Sequence, residues 1–215
     1  MKTALFTGFE RFGAYANNPT EILANILDQT VLADHYIYSM ILPVDIFPAT
    51  CGKNYGEIIF NKALEINADC ILSFGVSSEV KGFRLERVAT NWVENKKYCS
   101  EKQNNTLLNI NMPPKKSIVA LNGNIGISFM NVLIQGAGIS FEDKISEDAG
   151  TYCCNALMFL LAQALKDNSR ISQFFFHVPC THSSVFGISD FDKTKLLVNE
   201  SDLVLGVETI LKSYK

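Results

Sequence analysis

Long apolar runs are absent from this sequence of 215 residues. A helix that spans a bilayer needs roughly 20 consecutive apolar residues, and no segment approaches that length. The N-terminal stretch also lacks the apolar core and cleavage pattern of a secretory signal. We therefore expect a cytoplasmic protein that makes no contact with a membrane.

An excess of charge of one sign is missing as well. The chain has 19 Lys and Arg against 22 Asp and Glu, which gives a net charge of −3 at pH 7. Nothing in this balance favours a nucleic acid or another polyanion as a partner. No internal repeat, low-complexity segment or linker divides the sequence, so we expect one domain over residues 1–215.

Patterns typical of metal sites do not occur. The sequence has no C-x-x-C spacing and no H-E-x-x-H motif, and it has three histidines in all. A chain of this length can bury a core without disulfides, so we expect reduced thiols and no metal or other cofactor. The six scattered cysteines are Cys51, Cys70, Cys99, Cys153, Cys154 and Cys180.

Short apolar runs alternate along the chain with segments of helical period. Several of the runs end in Gly, as buried strands that lead into a loop often do. This alternation predicts an α/β fold, a three-layer α/β/α sandwich with a twisted, mostly parallel central sheet. The predicted strands are 2–7, 36–42, 70–75, 117–121 and 173–179. The first predicted helix begins at Pro19, and three more cover 55–68, 149–166 and 203–211.

The segment from Trp92 to Asp148 is harder to interpret. Its first part, to Pro114, is polar and without a clear period, which indicates a long excursion or an edge hairpin. Residues 122–126 contain a turn signal, and 129–133 fit a short strand or a short helix equally well.

Candidate functional residues follow the predicted strand ends. Phe9 and Phe12 lie in a glycine-flanked loop after the first strand, where open α/β sheets bind ligands, although both could equally pack in the core. Glu86 stands between Arg84 and Arg87, a pattern that most often means a paired surface charge.

Two adjacent thiols mark the start of the helix predicted from Ala149. The free N–H groups and the dipole at a helix start favour a negative charge, so Cys153 or Cys154 could be a reactive thiolate. Both could also be small apolar residues that pack the start of the helix. These residues alone do not decide between the two interpretations.

A thiol, an imidazole and a carboxylate are the groups that nucleophilic catalysis requires, and Cys154, His177 and Glu86 could supply them. The imidazole would take the proton of the thiol and return it to the leaving amine, and the carboxylate would fix the tautomer of the ring. Sequence spacing says nothing about the distances between these groups.

Six blocks of sequence resemble, in order, the pyroglutamyl peptidases of type I, or pyrrolidone-carboxylate peptidases. These cytosolic cysteine peptidases remove an N-terminal pyroglutamate and carry the motifs T-G-F-E-P-F-G, N-P-T, E-R-x-A-x-N, A-G-x-Y-x-C-N and H-V-P. The matching blocks are Thr7–Gly13, Asn18–Thr20, Leu42–Val44, Leu85–Asn91, Ala149–Asn155 and His177–Pro179.

The resemblance implies Cys154 as the nucleophile, because the reactive cysteine of the family directly precedes Asn. It implies His177 as the base and Glu86 as the carboxylate that orients it, in a mechanism with an acyl-thioester intermediate. The residues implied to line the site of the pyroglutamyl ring are Phe9, Phe12, Asn18, Val76 and Cys153. The implied partner is a peptide with an N-terminal pyroglutamate, and the chain could form a homodimer or homotetramer.

Some positions differ from the family pattern. Arg11 replaces a usual Pro, Val76 stands where many members have Gln or Leu, and Glu147-Asp148 place two acids close to the nucleophile in sequence. Two alternatives keep the same blocks: a triad hydrolase of another small N-acyl or lactam amide, and a catalytically weak relative that binds peptide N-termini.

Overall fold

The computed structural model describes residues 1–46, 53–94, 105–121, 141–142 and 144–214. The predicted turn at 122–126, the ambiguous segment 129–133, and Cys51 and Cys99 lie outside these ranges. Within the described ranges, no helix combines the length and the apolar character needed to cross a membrane.

The central sheet has six strands in the order β2-β3-β1-β4-β8-β5. Strands β3, β1, β4 and β8 run parallel, and the short strands β2 and β5 are antiparallel at the two edges. The strands of this sheet are β1 (Lys2–Phe9), β2 (Val31–Leu32), β3 (His35–Leu42), β4 (Cys70–Val76), β5 (Arg84–Glu86) and β8 (Ser172–Val178). The other described strands form two small two-stranded sheets: β6 (Val88–Thr90) with β7 (Ser117–Val119), and β9 (Cys180–Thr181) with β10 (Leu197–Val198).

Helices cover both faces of the sheet, in two apolar clusters. The helices are α1 (Pro19–Leu27), α2 (Tyr55–Glu65), α3 (Cys153–Ala164) and α4 (Glu200–Ser213). Residues of α1 and α4 share one cluster with Phe6, Phe74 and Phe176, and residues of α2 and α3 share the other with Leu5 and Phe175. Alternate residues of each strand therefore serve opposite faces, and the predicted three-layer sandwich is confirmed.

Helix starts follow the capping signals of the sequence. Asn18 accepts a hydrogen bond from the backbone N of Thr20 at 3.0 Å, and Pro19 takes the first helical position of α1. At α2, Asn54 and Glu57 form a reciprocal capping box. These caps fix where α1 and α2 leave the loops before them.

Several predicted boundaries were wrong. The helix predicted over 149–166 begins at Cys153, because Gly150 has φ +78° and the chain before Cys153 is not helical. The helix predicted over 55–68 ends at Glu65, and Asn67, with φ 52°, turns the chain into β4.

The segment after Phe83 forms two short strands in different sheets, β5 and β6, separated by Arg87. The strand predicted over 117–121 is the shorter β7, the antiparallel partner of β6.

Candidate active site

The parallel strands bring the predicted site residues to one edge of the sheet. Here β1, β4 and β8 end and α3 begins, and a cavity of about 210 Å³ opens between them. We call this the cysteine cavity. It is lined by Phe9, Phe12, Asn18, Val44, Val76, Ala149, Gly150, Thr151, Tyr152, Cys153 and Cys154. All five residues predicted from the resemblance to hold the ring are among them, beside the predicted nucleophile.

Glu86 and His177 form a close buried pair. Glu86 lies opposite Phe175 in the antiparallel pairing of β5 with β8, so His177, two residues farther on, is its diagonal neighbour on the same face. The distance from His177 Nδ1 to Glu86 Oε1 is 2.7 Å, and the two residues are 8% and 1% exposed. The interpretation of Glu86 as a surface charge is therefore wrong.

This contact determines which nitrogen of the ring can act as a base. An ionised carboxylate only accepts hydrogen bonds, so Nδ1 must be the protonated nitrogen when the ring is neutral. Nε2 then carries the lone pair. The other carboxylate oxygen of Glu86, Oε2, is buried without a hydrogen-bond partner among the described residues.

Cys154 lies next to this pair at the second position of α3. A Cβ atom built on Gly75 would lie 2.7 Å from Cys154 Sγ and 3.4 Å from His177 Cδ2. The sulfur and the imidazole therefore both approach the backbone of Gly75, where a side chain would push them away. The sequence predicted Gly75 only as the last residue of a strand and not as part of the site.

Cys154 is half-buried as a residue, but its sulfur is surrounded by protein. This desolvation raises the pKa of the thiol, electrostatic interactions with Cys153 and Glu86 raise it further, and the backbone N–H of Cys154 lowers it. The start of α3 thus favours the thiolate as predicted, but burial outweighs this effect. The isolated thiol is neutral near pH 7, so its activation requires a base.

The two acids that precede Ala149 have partners of their own. Glu147 forms an ion pair with Arg87 at the surface, and Asp148 accepts a hydrogen bond from the backbone N of Gly150 at 2.9 Å. Neither is among the groups that shift the pKa of Cys154.

Asn18 has a structural role in addition to its place in the cavity. Its Oδ1 accepts from both the backbone N and the hydroxyl of Thr20, and its Nδ2 donates to the backbone O of Glu10 at 3.0 Å. An amide nitrogen has two hydrogens, and only one of those of Asn18 is used in these three hydrogen bonds.

Two tyrosines that were not predicted as site residues hold the backbone of Pro43 and Val44, of which Val44 lines the cavity. Tyr55 donates its hydroxyl hydrogen to the backbone O of Pro43 at 2.7 Å, and Tyr152 donates to the backbone O of Val44 at 3.4 Å. Cys153 Sγ lies 3.4 Å from the hydroxyl oxygen of Tyr55. No sequence pattern relates Tyr55 to Pro43, so the sequence could not predict this contact.

Asn155 ties the start of α3 to the strand that follows Glu86. Its Oδ1 accepts from the backbone N of Thr90 at 2.7 Å, and its Nδ2 donates to the backbone O of Thr90 and of Trp92, each at 2.9 Å. The residue is 1% exposed. The motif block contained Asn155, but nothing in the sequence indicated this role.

Comparisons with known proteins identify the family of this chain. The model of the pyroglutamyl peptidase family matches residues 2–212. The pyrrolidone-carboxylate peptidase of Thermococcus litoralis is 28% identical over 188 residues, which are 86% of this chain and 80% of that protein. The one from Escherichia fergusonii is 27% identical over 180 residues, 83% of this chain and 78% of that protein.

Solved structures show the same fold. The pyrrolidone carboxyl peptidase of Thermococcus litoralis superposes with a TM-score of 0.79 at 25% identity and covers 100% of this chain and 93% of its own. The pyroglutamyl peptidase I of Bacillus amyloliquefaciens, at 18% identity, has a TM-score of 0.77 over 99% of this chain and 94% of its own. The chain therefore belongs to the pyroglutamyl peptidase family of cysteine-type hydrolases, as its sequence blocks predict.

Proposed function

We propose that this protein hydrolyses the bond after an N-terminal pyroglutamate in peptides, with Cys154 as nucleophile, His177 as general base and acid, and Glu86 as the carboxylate that orients His177. The observation that carries the proposal is the buried contact of 2.7 Å between His177 Nδ1 and Glu86 Oε1, beside Cys154. The family membership of the chain supports the choice of substrate.

In the first step, Cys154 Sγ gives its proton to His177 Nε2 and attacks the substrate. Because burial raises the pKa of Cys154, transfer is expected as the sulfur attacks the substrate and not before. The sulfur bonds to the carbonyl carbon of pyroglutamate, and Glu86 stabilises the imidazolium. The negative oxygen that forms can be stabilised by the first backbone N–H groups of α3, which lack helical acceptors.

The intermediate then collapses. The C–N bond breaks, His177 gives its proton to the leaving amine, and the pyroglutamyl group remains on Cys154 as a thioester. A water molecule gives a proton to His177 and attacks the thioester. Breakage of the C–S bond releases pyroglutamate, and His177 returns its proton to the sulfur, which restores the thiol.

The lining of the cysteine cavity suits a lactam. None of its described lining residues carries a charge, and Phe9 and Phe12 supply aromatic faces for a flat, uncharged ring. The remaining N–H of Asn18 can donate to the lactam oxygen. A peptide with a protonated amine terminus would leave a charge buried without a partner, which is costly, so the lining favours pyroglutamate over an ordinary N-terminus.

An assay with a fluorogenic pyroglutamyl amide tests the proposal. We expect the wild type to release the fluorophore and Cys154→Ser to lose the activity by at least about 10³-fold, because a hydroxyl is a much weaker nucleophile than a thiol. Cys70→Ser is the matched control, since it makes the same change at a thiol outside the cavity, at the opposite end of β4, and should keep most of the activity. Mass spectrometry after iodoacetamide treatment should show alkylation of Cys154.

Two results would contradict the proposal. A wild type that alkylates at Cys154 but leaves pyroglutamyl amides intact would indicate a triad hydrolase with another acyl substrate. A Cys154→Ser variant as active as the wild type would exclude Cys154 as the nucleophile.

A further inference from the structure

A second cavity opens at the same edge of the sheet and has no role in the mechanism above. It has a volume of about 300 Å³ and is formed by the loops that follow β1 and β4 and by the segment before β10. We call this the acidic cavity. Its lining residues are Ala14, Tyr15, Ser78, Glu79, Ile188, Asp190, Phe191, Asp192 and Lys195.

The acidic cavity adjoins the cysteine cavity. The ring of Phe12, which lines the cysteine cavity, contacts the ring of Tyr15, which lines the acidic cavity, with centroids 5.4 Å apart. Val76 lines the first and Ser78, two residues later, lines the second. The two cavities therefore share a wall.

The shared wall lies beside the proposed acid. The backbone N of Ser77 donates to the backbone O of Val178 at 2.9 Å, and Val178 directly follows His177. His177 must protonate the leaving amine, so the peptide that follows pyroglutamate starts next to this loop. The acidic cavity is then within reach of the first side chains of the leaving peptide.

Its lining combines apolar walls with negative charge. Tyr15, Ile188 and Phe191 are half-buried, and the exposed carboxylates of Glu79, Asp190 and Asp192 outnumber the one ammonium group, that of Lys195. Lys195 Nζ is paired with Glu79 Oε2 at 2.6 Å. In the described part of the chain, neither Asp190 nor Asp192 forms an ion pair, although the charge of Lys195 also acts on Asp192.

We infer that the acidic cavity is the subsite for the leaving peptide and that it selects substrates with Lys or Arg directly after pyroglutamate. Such side chains have an apolar stem, which suits the walls, and a positive end, which suits the two unpaired carboxylates. This inference rests on the proposed function and specifies the class of peptide that the site prefers.

The test compares three peptides of the form pyroglutamyl-X-Ala-amide, in which X is Lys, norleucine or Glu. Norleucine has the length of the Lys stem without the charge. We expect kcat/KM for Lys to exceed that for norleucine by about threefold or more at low salt, as exposed charge pairs allow, and Glu to be the poorest. The preference should shrink in 0.5 M NaCl, because salt screens exposed charges.

The variant Asp190→Asn/Asp192→Asn should lower kcat/KM for the Lys peptide to the value for the norleucine peptide, both measured on the same variant. In the wild type, Asp192 Oδ1 accepts a hydrogen bond from the backbone N of Thr194 at 2.9 Å, and the oxygen of the substituted amide can accept the same bond. Asp167→Asn is the control, since it also removes an exposed acid, which is paired with Lys166 after the end of α3, at the opposite edge of the sheet from the acidic cavity.

The outcomes separate the two claims. Equal kcat/KM for Lys and norleucine, or a preference that survives the double substitution, would overturn the inference while the proposed function stands. Failure to cleave any of the three peptides or the fluorogenic amide would overturn the proposed function and the inference together.

Discussion

At the scale of single residues, the hydrogen bond between Glu86 and His177 is where a small change has the clearest chemical consequence. In Glu86→Gln, the side-chain amide can donate a hydrogen bond to Nδ1 and so stabilise the tautomer that carries its proton on Nε2. In that tautomer Nε2 has no lone pair with which to accept a proton from Cys154. We expect kcat to fall by about 10²- to 10⁴-fold with little change in KM. Steady-state kinetics with a pyroglutamyl amide measures both.

Glu147→Gln is the control for this change. It removes a carboxylate that is close to Cys154 in sequence but is paired with Arg87 at the surface. Its kinetics should match those of the wild type. If Glu147→Gln lowered kcat as much as Glu86→Gln, the role of Glu86 as the orienting carboxylate would be refuted.

At the scale of secondary-structure elements, Asn155 connects α3, which carries Cys154, to β6, which follows Glu86. In Asn155→Ala, the backbone groups of Thr90 and Trp92 lose their hydrogen-bond partners in a buried place. We expect a loss of about 2–3 kcal/mol in the free energy of unfolding. Activity should also fall, because β6 and the carboxylate before it are no longer held against α3. Urea unfolding and kinetics at a temperature where the variant is folded test this.

Asn168→Ala is the control for Asn155→Ala, because it also removes an Asn side chain that forms hydrogen bonds with the backbone. Asn168 accepts from the backbone N of Arg170 at 3.0 Å and of Ile171 at 3.1 Å, after the end of α3. This variant should lose stability and keep its activity. Equal activity of the two variants would show that Asn155 contributes to stability alone.

The same elements show what the sequence could predict. Periodicity predicted the four helices of the described residues and the four parallel strands, because these patterns depend on residues that are neighbours in sequence. They did not predict that α3 begins at Cys153, since the left-handed conformation of Gly150 depends on its surroundings. They also could not show that β5 lies beside β8, because this pairing joins segments about 90 residues apart.

The candidate site was predicted through motif order and not through geometry. Glu86, Cys154 and His177 come from three elements that the topology of the sheet brings together. Without the resemblance, the charge pattern around Glu86 indicated a surface position, whereas the residue is 1% exposed. Contacts such as that between Tyr55 and Pro43 require the tertiary structure.

At the scale of the whole molecule, thiols whose sulfur is surrounded by protein contribute to the loss of stability at alkaline pH. Burial, and then the charge of Asp69, raise the pKa of Cys70 from 9.0 to about 12, and burial also raises the pKa of Cys154. In the unfolded chain these thiols lose their protons near pH 9, whereas in the folded protein they keep them. Above pH 9 the unfolded state binds fewer protons, so stability must fall as pH rises.

Cys70→Ala isolates one of these groups. Cys70 is fully buried in β4, at the opposite end of the strand from the candidate site. Near pH 7 the variant should be less stable than the wild type, because it lacks the packing of the sulfur. Between pH 9 and about 12 the wild type should lose up to about 1.4 kcal/mol per pH unit relative to the variant. The two curves of unfolding free energy against pH should therefore converge. Curves that stay parallel to pH 11 would show that Cys70 titrates alike in the folded and unfolded states.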